Sequence, residues 1–119
     1  MIKGIGCDFV NIARIERAIS KARFMEKAFT PSEQFYLQSK GNQSAAGIWA
    51  AKEAISKALG TGFVGFTLTD IEIGHNENGQ PYVMLHNGAK GRIQQLKAKQ
   101  ICVSISHEQD MAMAFAVID

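Results

Sequence analysis

The side chains with the types and spacing to act together on a phosphate lie in two stretches of this 119-residue sequence. Glu53 and Lys57 are one helical turn apart in "GIWAAKEAISKALGTG" (47–62), and Asp8 follows an apolar run near the start. Mg²⁺ prefers one or two carboxylates, with water and phosphate oxygens as its other ligands. A lysine ammonium meets a phosphate as a compact charge. We therefore predict that Asp8 and Glu53 bind Mg²⁺ and that Lys57 contacts phosphate.

Each of these features also has a plainer interpretation. A Glu and a Lys at i and i+4 commonly form a surface ion pair that contributes about 0.3 to 0.5 kcal/mol. A carboxylate after a strand commonly caps the next helix, which is the alternative for Asp8. Gly60, Thr61 and Gly62 either let backbone N–H groups approach an anion or simply end the helix. His107 is either a turn residue or a ligand contact.

The helix predicted around Glu53 has two unlike faces. Ala46, Ala50, Glu53 and Lys57 share the face on which the small alanines are expected to leave room for a ligand. Lys52 lies near the boundary between the faces, so we expect its stem to pack and its ammonium to reach water. The opposite face is apolar and is expected to enter the core: Ile48, Ala51, Ile55 and Leu59.

A basic segment follows the first predicted strand. In a helical projection, Arg14, Arg17 and Lys21 lie on one side of a helix over 12–22, opposite an apolar stripe. Arg23 falls on the basic side too if the helix extends that far. This surface is either merely solvated or a docking site for an acidic partner. The stripe consists of Ile12, Ile15, Ile19 and Ala22.

Local signals place the helices that must hold these residues. A longer helix is predicted from Ser44, as N-cap, to about Leu59, where Gly60 stops it. A short helix is expected at 89–99. The stretch "TPSE" at 30–33 supplies in order an N-cap, a first-turn proline and a residue that closes a capping box: Thr30, Pro31 and Glu33.

The remaining segments have the patterns of strands. A short buried strand is predicted at 2–7, ending at Asp8, and Asn78-Gly79 marks the turn of a hairpin. Leading helices and trailing strands predict an α+β fold, with N-terminal helices packed on a small antiparallel sheet in one domain over 1–119. The hairpin strands and the last two strands are "TLTDIEI", "PYVML", "ICVSISH" and "MAMAFAVI", the last two joined by a turn at 108–110.

Composition narrows the class of protein. With 46% hydrophobic and 20% charged residues, the chain resembles an ordinary globular domain, and its net charge of +2 is too small to indicate a nucleic-acid binder. No apolar run is long enough to cross a bilayer, and nothing marks a signal peptide, so we expect a cytoplasmic protein without a membrane partner. Cys7 and Cys102 lie in separate strand-like runs and are expected to be buried thiols.

Four blocks of this sequence resemble the holo-(acyl-carrier-protein) synthase family of phosphopantetheinyl transferases. The blocks occur in the family's order and spacing, and the resemblance covers essentially the whole chain. They are "GIGCDFVNIARI" at 4–15, "FTPSE" at 29–33, "WAAKEAISKALGTG" at 49–62 and "VSISHE" at 103–108. The resemblance implies Mg²⁺-dependent transfer of phosphopantetheine from coenzyme A to a serine of an acyl carrier protein, in fatty acid synthesis. It also implies a homotrimer with active sites between subunits.

The resemblance also assigns roles to residues. The family's magnesium ligands correspond to Asp8 and Glu53, and its phosphate-contacting lysine corresponds to Lys57. Arg14 and Arg23 match positions that hold the acidic helix of the carrier protein, while Arg17 and Lys21 would add weaker long-range attraction. The positions that match coenzyme A contacts are Gly60, Thr61, Gly62 and His107. We expect Glu53, directly or through a metal-bound water, to accept the proton of the serine.

One position departs from the family pattern. Ile48 stands where many relatives have an arginine, so a contact from that position to the nucleotide phosphates is not expected. Two other classes of protein remain open. A binding module for acidic protein or RNA would explain the basic helix but not the convergence of Asp8 and Glu53. A metal-dependent phosphohydrolase shares the carboxylates but would consume coenzyme A without any carrier protein.

Overall fold

The computed structural model describes every residue from Met1 to Asp119. It contains five strands and five α-helices, confirming the predicted α+β class. A single 3₁₀ turn, Leu68–Asp70, precedes the second strand. The strands are β1 Gly4–Asn11, β2 Ile71–His75, β3 Pro81–Leu85, β4 Ile101–Glu108 and β5 Met111–Ile118. The helices are α1 Ile12–Ile19, α2 Ala22–Ala28, α3 Pro31–Leu37, α4 Asn42–Ala58 and α5 Asn87–Gln95.

The strands form two antiparallel sheets. Strand β5 lies in the centre of a three-stranded sheet, with β1 on one side and β4 on the other. Strands β2 and β3 pair as a separate hairpin, as predicted, although the predicted first strand is shorter because 68–70 form the 3₁₀ turn. Asp8 pairs with Ala114 across the β1–β5 ladder, which fixes its position on the sheet.

Helix α4 packs across one face of the three-stranded sheet. Two glycines of β1 permit a very close approach: a Cβ atom on Gly4 would lie 1.9 Å from the carbonyl oxygen of Ala58, and one on Gly6 would lie 2.0 Å from that of Ala54. Only glycine allows a backbone to approach a strand this closely. The same face of β1 carries Asp8, so the two glycines bring this carboxylate beside α4.

The other face of the same sheet is uncovered. Ile5, Phe9, Met113 and Phe115 have 62%, 72%, 46% and 43% of their surface exposed. A contiguous exposed apolar patch of this kind typically marks an interaction surface. Both cysteines, Cys7 and Cys102, are also exposed, so the prediction of buried thiols is wrong. Strand alternation is the reason, because each cysteine falls on the uncovered face of its strand.

The basic segment forms two helices instead of one. Helix α1 ends at Ile19, where the hydroxyl of Ser20 donates to the carbonyl oxygen of Arg17 at 2.6 Å. Lys21 is extended and Arg23 belongs to α2, so the prediction that one helix over 12–22 carries these charges is wrong. The hydroxyl of Ser20 satisfies a backbone carbonyl at the helix end, as serine commonly does near termini.

The predicted helix caps are confirmed for α3 but not for α4. The capping box between Thr30 and Glu33 is present, and α3 begins at Pro31 as expected. The N-cap of helix α4 is the extended Gly41, three residues before the predicted Ser44. Helix α4 has 17 residues, and no helix of the chain is long and apolar enough to span a membrane.

The first strand runs to Asn11 and is longer than predicted, and α5 covers 87–95 instead of 89–99.

Candidate active site

Lys57 joins α4 to β1. Its Nζ atom donates to the carbonyl oxygen of Cys7 at 2.9 Å and to Oδ1 of Asp8 at 3.1 Å. The plain alternative of a Glu53–Lys57 ion pair is therefore wrong, since the partner of Lys57 is Asp8. Asp8 is not a helix cap either: it lies in the middle of β1, and Asn11 caps α1 by accepting from the backbone N–H of Arg14.

Glu53 completes a charged cluster with these two residues. Partial burial raises the pKa of the Glu53 carboxyl, and the nearby Asp8 carboxylate raises it further, whereas Lys57 and Arg14 lower it. Asp8, Lys57 and Arg14 lie near Glu53, because the charge of each of them shifts its pKa. The structure thus brings Asp8, Glu53 and Lys57 together from β1 and α4, and it adds Arg14 from α1 to their surroundings.

The cluster has the chemistry of a magnesium site. Asp8 and Glu53 supply hard oxygen donors. Partial burial is the main cause of the raised pKa of Glu53, and the nearby Asp8 carboxylate adds a smaller contribution that a divalent cation would relieve. No group of three or more His, Cys, Asp or Glu side chains forms a metal cage in this chain. Two carboxylates with open positions for water and phosphate match the preference of Mg²⁺.

Lys52 does not reach water, contrary to the sequence prediction. Its Nζ atom is fully buried and donates to Oε1 of Glu33 at 2.6 Å, to the carbonyl oxygen of Ala28 at 2.8 Å and to that of Leu68 at 3.0 Å. Burial lowers the pKa of Lys52, and the Glu33 carboxylate opposes that lowering. The sequence pointed to Glu33 only as a capping residue, and its second role as partner of Lys52 had no local signal.

The alanine face of α4 is not open to a ligand. Ala46 and Ala50 have no exposed surface, so the prediction of free space beside them is wrong. The apolar face enters the core as predicted. From Ala45 to Ala58 the helix is buried except at Trp49, Glu53 and Lys57. The open space lies instead beyond Glu53, where a cleft of about 630 Å³ is bordered by the segment that follows α4.

The glycines after α4 form an exposed turn. Gly60 and Gly62 have positive φ angles of 85° and 63°, values that favour glycine, and Gly60 follows the last turn of the helix as predicted. The hydroxyl of Thr61 donates to the carbonyl oxygen of Gly62 at 2.9 Å. The turn connects the end of α4 to the segment that borders the cleft. The contact of Gly60, Thr61 and Gly62 with coenzyme A stays a prediction.

His107 lies apart from the charged cluster. It pairs with Ala112, which pairs with Val10, so His107 is two strands from β1, about 10 Å at the usual strand spacing. It borders a cavity of about 240 Å³ between β4 and the hairpin, together with Ile48 and His75. Burial lowers the pKa of His75, and Lys40 lowers it further. Ile48 is itself buried, consistent with the absence of a phosphate contact from it.

The four basic residues predicted to contact a partner are all exposed. Arg14 and Arg17 lie on α1, Lys21 lies between the helices, and Arg23 lies on α2. Of these, Arg14 is the one whose charge reaches Glu53. The basic surface therefore adjoins the charged cluster at Arg14 and extends away from it along α1.

Comparison with known proteins identifies the family. The model of the 4'-phosphopantetheinyl transferase superfamily matches residues 4–116. The chain belongs to this superfamily. The family resemblance predicted from the four sequence blocks is confirmed, and the chain is an enzyme of the phosphopantetheinyl transferase class.

Individual members of this superfamily are similar over their whole length. A holo-(acyl-carrier-protein) synthase of Alkaliphilus oremlandii is 48% identical over 120 residues, covering 98% of both chains. The crystal structure of the Neisseria meningitidis synthase matches with a TM-score of 0.91 and 32% identity over 100% of this chain and 99% of that one. The Helicobacter pylori synthase, solved in complex with coenzyme A, matches with a TM-score of 0.86 and 35% identity over 97% and 99%. These structures confirm the phosphopantetheinyl transferase fold.

Proposed function

We propose that this phosphopantetheinyl transferase moves the phosphopantetheine group of coenzyme A to a serine of an apo acyl carrier protein. The observation that carries the proposal is the convergence of Asp8, Glu53 and Lys57 in a chain that belongs to this superfamily. The similarity to a synthase solved with coenzyme A supports the choice of donor. The proposed role is the activation of carrier protein for fatty acid synthesis in the cytoplasm.

The reaction makes one phosphorus–oxygen bond and breaks another. The serine oxygen bonds to the β-phosphorus, the bond from that phosphorus to the bridging oxygen breaks, and adenosine 3',5'-bisphosphate leaves with the electron pair. Negative charge grows on the phosphoryl oxygens and on the leaving group, so catalysis depends on positioning and electrostatics. Lys57 has one N–H free beyond its bonds to Cys7 and Asp8, and this donor would meet a phosphate oxygen.

Asp8 and Glu53 are the proposed magnesium ligands. When bound, Mg²⁺ supplies Lewis-acid neutralisation of the pyrophosphate. Glu53 is also the proposed acceptor of the serine proton, directly or through a metal-bound water, because it lies in the charged cluster where the serine would attack. The serine proton would then pass to Glu53 as the oxygen attacks.

The uncovered sheet face supports assembly into a homotrimer. Ile5, Phe9, Met113 and Phe115 form an apolar surface that a second copy would cover. The proposed coenzyme A contacts at Gly60–Gly62 and His107 belong to separate parts of the chain. Because these contacts lie apart on one chain, we propose that coenzyme A spans neighbouring subunits, with its reacting phosphate at the charged cluster.

The exposed basic residues support docking of an acidic carrier helix. Arg14 connects this surface to the active site, because its charge acts on Glu53. Arg17, Lys21 and Arg23 extend the positive surface across the two helices. A carrier helix held there would present its serine next to the charged cluster.

One incubation tests the proposed function. Purified protein is mixed with coenzyme A, Mg²⁺ and apo carrier protein, and the carrier is weighed by mass spectrometry. We expect a mass gain of one phosphopantetheine group that requires both Mg²⁺ and coenzyme A. Loss of coenzyme A without a carrier would instead indicate a phosphohydrolase. Binding of the carrier with no mass gain would indicate a binding module.

A further inference from the structure

Residues 60–70 connect α4 to β2 and border the cleft beyond Glu53, so we name them the border segment. The segment contains the turn at 60–62 and the 3₁₀ turn, but no longer element. Gly60, Gly62 and Gly65 have positive φ angles of 85°, 63° and 84°. A glycine-rich segment loses much conformational freedom when it is ordered. Contacts from outside the border segment are therefore needed to keep it in one arrangement.

Helix α5 supplies such contacts at two places. The Nε atom of Arg92 donates to the carbonyl oxygen of Leu59 at 2.9 Å, just before the border segment begins. Gly88 lies so close to the middle of the segment that a Cβ atom on it would be 1.9 Å from the carbonyl oxygen of Gly65. Only glycine permits this approach. Helix α5 therefore supports the border segment along much of its length.

A carboxylate and an amide join the start of α5 to the end of the border segment. The Nδ2 atom of Asn87 donates to Oδ1 of Asp70 at 2.8 Å. The other oxygen of this carboxylate, Oδ2, accepts from the backbone N–H of Thr67 at 3.0 Å. Burial raises the pKa of Asp70, but the hydrogen bonds from Asn87 and Thr67 outweigh it, so the pKa lies below its ordinary value. The ionised carboxylate thus ties the 3₁₀ turn to α5.

The backbone of Asn87 adopts a conformation that most residues avoid. Its φ angle is 52°, in the left-handed region that favours glycine. Asparagine is one of the few other residues that adopt this region. Glycine would fit the backbone better, but it has no side chain that could donate to Asp70. The strained position therefore points to a role for the amide itself.

We propose, on the basis of the transferase function above, that Asp70 and Asn87 are positioning residues of the active site. Neither belongs to the charged cluster, and neither lines the cleft beyond Glu53. Their hydrogen bond lets α5 hold the border segment, and with it the turn at 60–62, in the arrangement that receives coenzyme A. Order that exists before binding lowers the cost of binding. The pair therefore sets the affinity for coenzyme A and leaves the chemical step to the charged cluster.

An exchange of the two side chains tests the pair. Asn87→Asp replaces the donor with a carboxylate oxygen facing Oδ1 of Asp70, and the two like charges repel. Adding Asp70→Asn restores the hydrogen bond in the reverse direction, since the amide at position 70 donates to the carboxylate at position 87. Asn87→Gly keeps the positive φ angle but removes the amide. Lys90→Gln, on the exposed side of α5, is the matched control.

Calorimetry with Mg²⁺ and without carrier protein measures the affinity for coenzyme A. We expect Asn87→Asp to weaken binding roughly tenfold and Asn87→Gly roughly threefold, because only the first adds repulsion. The double variant should recover most of the affinity, and Lys90→Gln should bind as the wild type does. Turnover at saturating coenzyme A should stay within about twofold of wild type, as expected when binding alone is weakened.

The pH dependence of binding gives a second measurement. Protonation of one of the two facing carboxylates in Asn87→Asp restores a hydrogen bond, so its loss of affinity relative to wild type should shrink as the pH falls. Asn87→Gly has no second carboxylate, and its loss should change little over the same range. Parallel pH profiles for these two variants would contradict a direct contact between positions 70 and 87.

Three results would overturn the proposal. One is unchanged affinity for coenzyme A in both Asn87→Asp and Asn87→Gly. Another is a double variant that binds no better than Asn87→Asp. The third is a lower free energy of unfolding with normal affinity, because a pair that only stabilised the fold would leave binding by the folded protein unchanged. Denaturant unfolding of each variant supplies that comparison.

The proposed function fails separately from this inference. Wild-type protein that binds coenzyme A but never modifies a carrier would refute the transferase function, while the affinities of the variants would still test the positioning role. Wild-type protein that does not bind coenzyme A would overturn both. Far-ultraviolet circular dichroism of each variant establishes that it is folded, and if Asn87→Asp does not fold, the affinity of Asn87→Gly decides the outcome.

Discussion

Helix α4 carries two lysines five positions apart, and each contacts a carboxylate from another element. Lys52 and Glu33 are completely buried, and all three N–H groups of the ammonium have acceptors. Lys57 and Asp8 are less buried, with 53% of the lysine side chain and 19% of the aspartate side chain exposed. The first pair has no donor left over, whereas Lys57 uses two of its three.

The contrast distinguishes a structural pair from one available for chemistry. A buried ion pair whose N–H groups all have acceptors can hold elements together, but it cannot bind a substrate without losing those hydrogen bonds. An exposed pair contributes little stability, about 0 to 1 kcal/mol, yet it can rearrange at low cost when a phosphate arrives. We therefore expect substitutions at Lys52 to act on stability and substitutions around Lys57 to act on turnover.

The largest expected effect comes from the carboxylates of the exposed cluster. Asp8→Asn and Glu53→Gln keep the shape of each side chain but weaken magnesium binding. Each should lower turnover by roughly a thousandfold, or about 4 kcal/mol of barrier, with the fold unchanged. Steady-state kinetics over a range of Mg²⁺ concentrations, with circular dichroism as the control, measures this. Near-normal turnover in either variant would remove that residue from the site.

The buried pair should show the opposite behaviour. Lys52→Met leaves the Glu33 carboxylate buried without its partner, which should lower the free energy of unfolding by about 3 to 5 kcal/mol. Denaturant unfolding measures the loss, with Lys57→Met as the matched control. Adding Glu33→Gln to Lys52→Met should recover part of the stability because no unpaired charge remains. A single-variant loss below about 1 kcal/mol would refute the structural role.

Lys57→Ala should lower turnover more than stability, the opposite of the effect expected for Lys52→Met. Loss of a charged donor to the reacting phosphate should lower turnover by roughly a hundredfold, or about 2.7 kcal/mol of barrier. The free energy of unfolding should fall by no more than about 1 kcal/mol, because about half of the Lys57 side chain is exposed and solvent screens the ion pair. Kinetics and unfolding of the same preparation measure both values. Full turnover with a reduced stability would make Lys57 an ordinary ion-pair partner.

Arg14 extends the comparison to the carrier protein. Arg14→Glu places a negative charge against an acidic helix and should raise the Michaelis constant for the carrier roughly tenfold, without weakening coenzyme A binding. Lys90→Glu, an exposed charge reversal on α5, is the control. Rising salt should weaken wild-type activity at low carrier concentration, since the Debye length falls from about 8 Å to about 3 Å at 1 M. Identical carrier kinetics in both variants, at low and high salt, would contradict docking at Arg14.

The smallest expected effect is a dependence of stability on pH in the metal-free protein. The pKa of Glu53 is raised above its ordinary value of 4.5, first by burial and then by Asp8. Its contribution to stability is therefore fully present below about pH 4.5 and is lost as the pH rises through the raised pKa. Unfolding with a chelator should show wild type losing stability relative to Glu53→Gln as pH rises. Parallel pH profiles would contradict the raised pKa.

Local signals in the sequence accounted for much of the fold. The capping box of Thr30 and Glu33 and the stop at Gly60 follow from contacts within a few residues, so the sequence alone predicts them. The α+β class followed from the order of helical and strand patterns. The break at Ser20 and Lys21 did not, because the apolar spacing continues through it, although the hydroxyl of Ser20 donates to the carbonyl oxygen of Arg17 where α1 ends.

Long-range contacts were harder to predict. The sequence proposed that Asp8, Glu53 and Lys57 act together, but the direct bond of Lys57 to Asp8 spans 49 positions. Likewise, the burial of Lys52 depends on Glu33, 19 positions away, and a helical projection treats lysine as a surface residue. The cleft beyond Glu53 had no signal in the sequence, because the residues that border it come from α2, α4 and the segment around the 3₁₀ turn and meet only in the folded chain.

The absence of a side chain at Gly6 is as much a part of the active site as any carboxylate. A single methyl group there would meet the carbonyl oxygen of Ala54 and force β1 away from α4, carrying Asp8 from Glu53. The charge of the protein and every polar atom of the cluster would stay the same. A scan of substitutions scored by activity would therefore rank Gly6 among the reacting groups, although it acts only as a spacer that sets the gap between the two carboxylates.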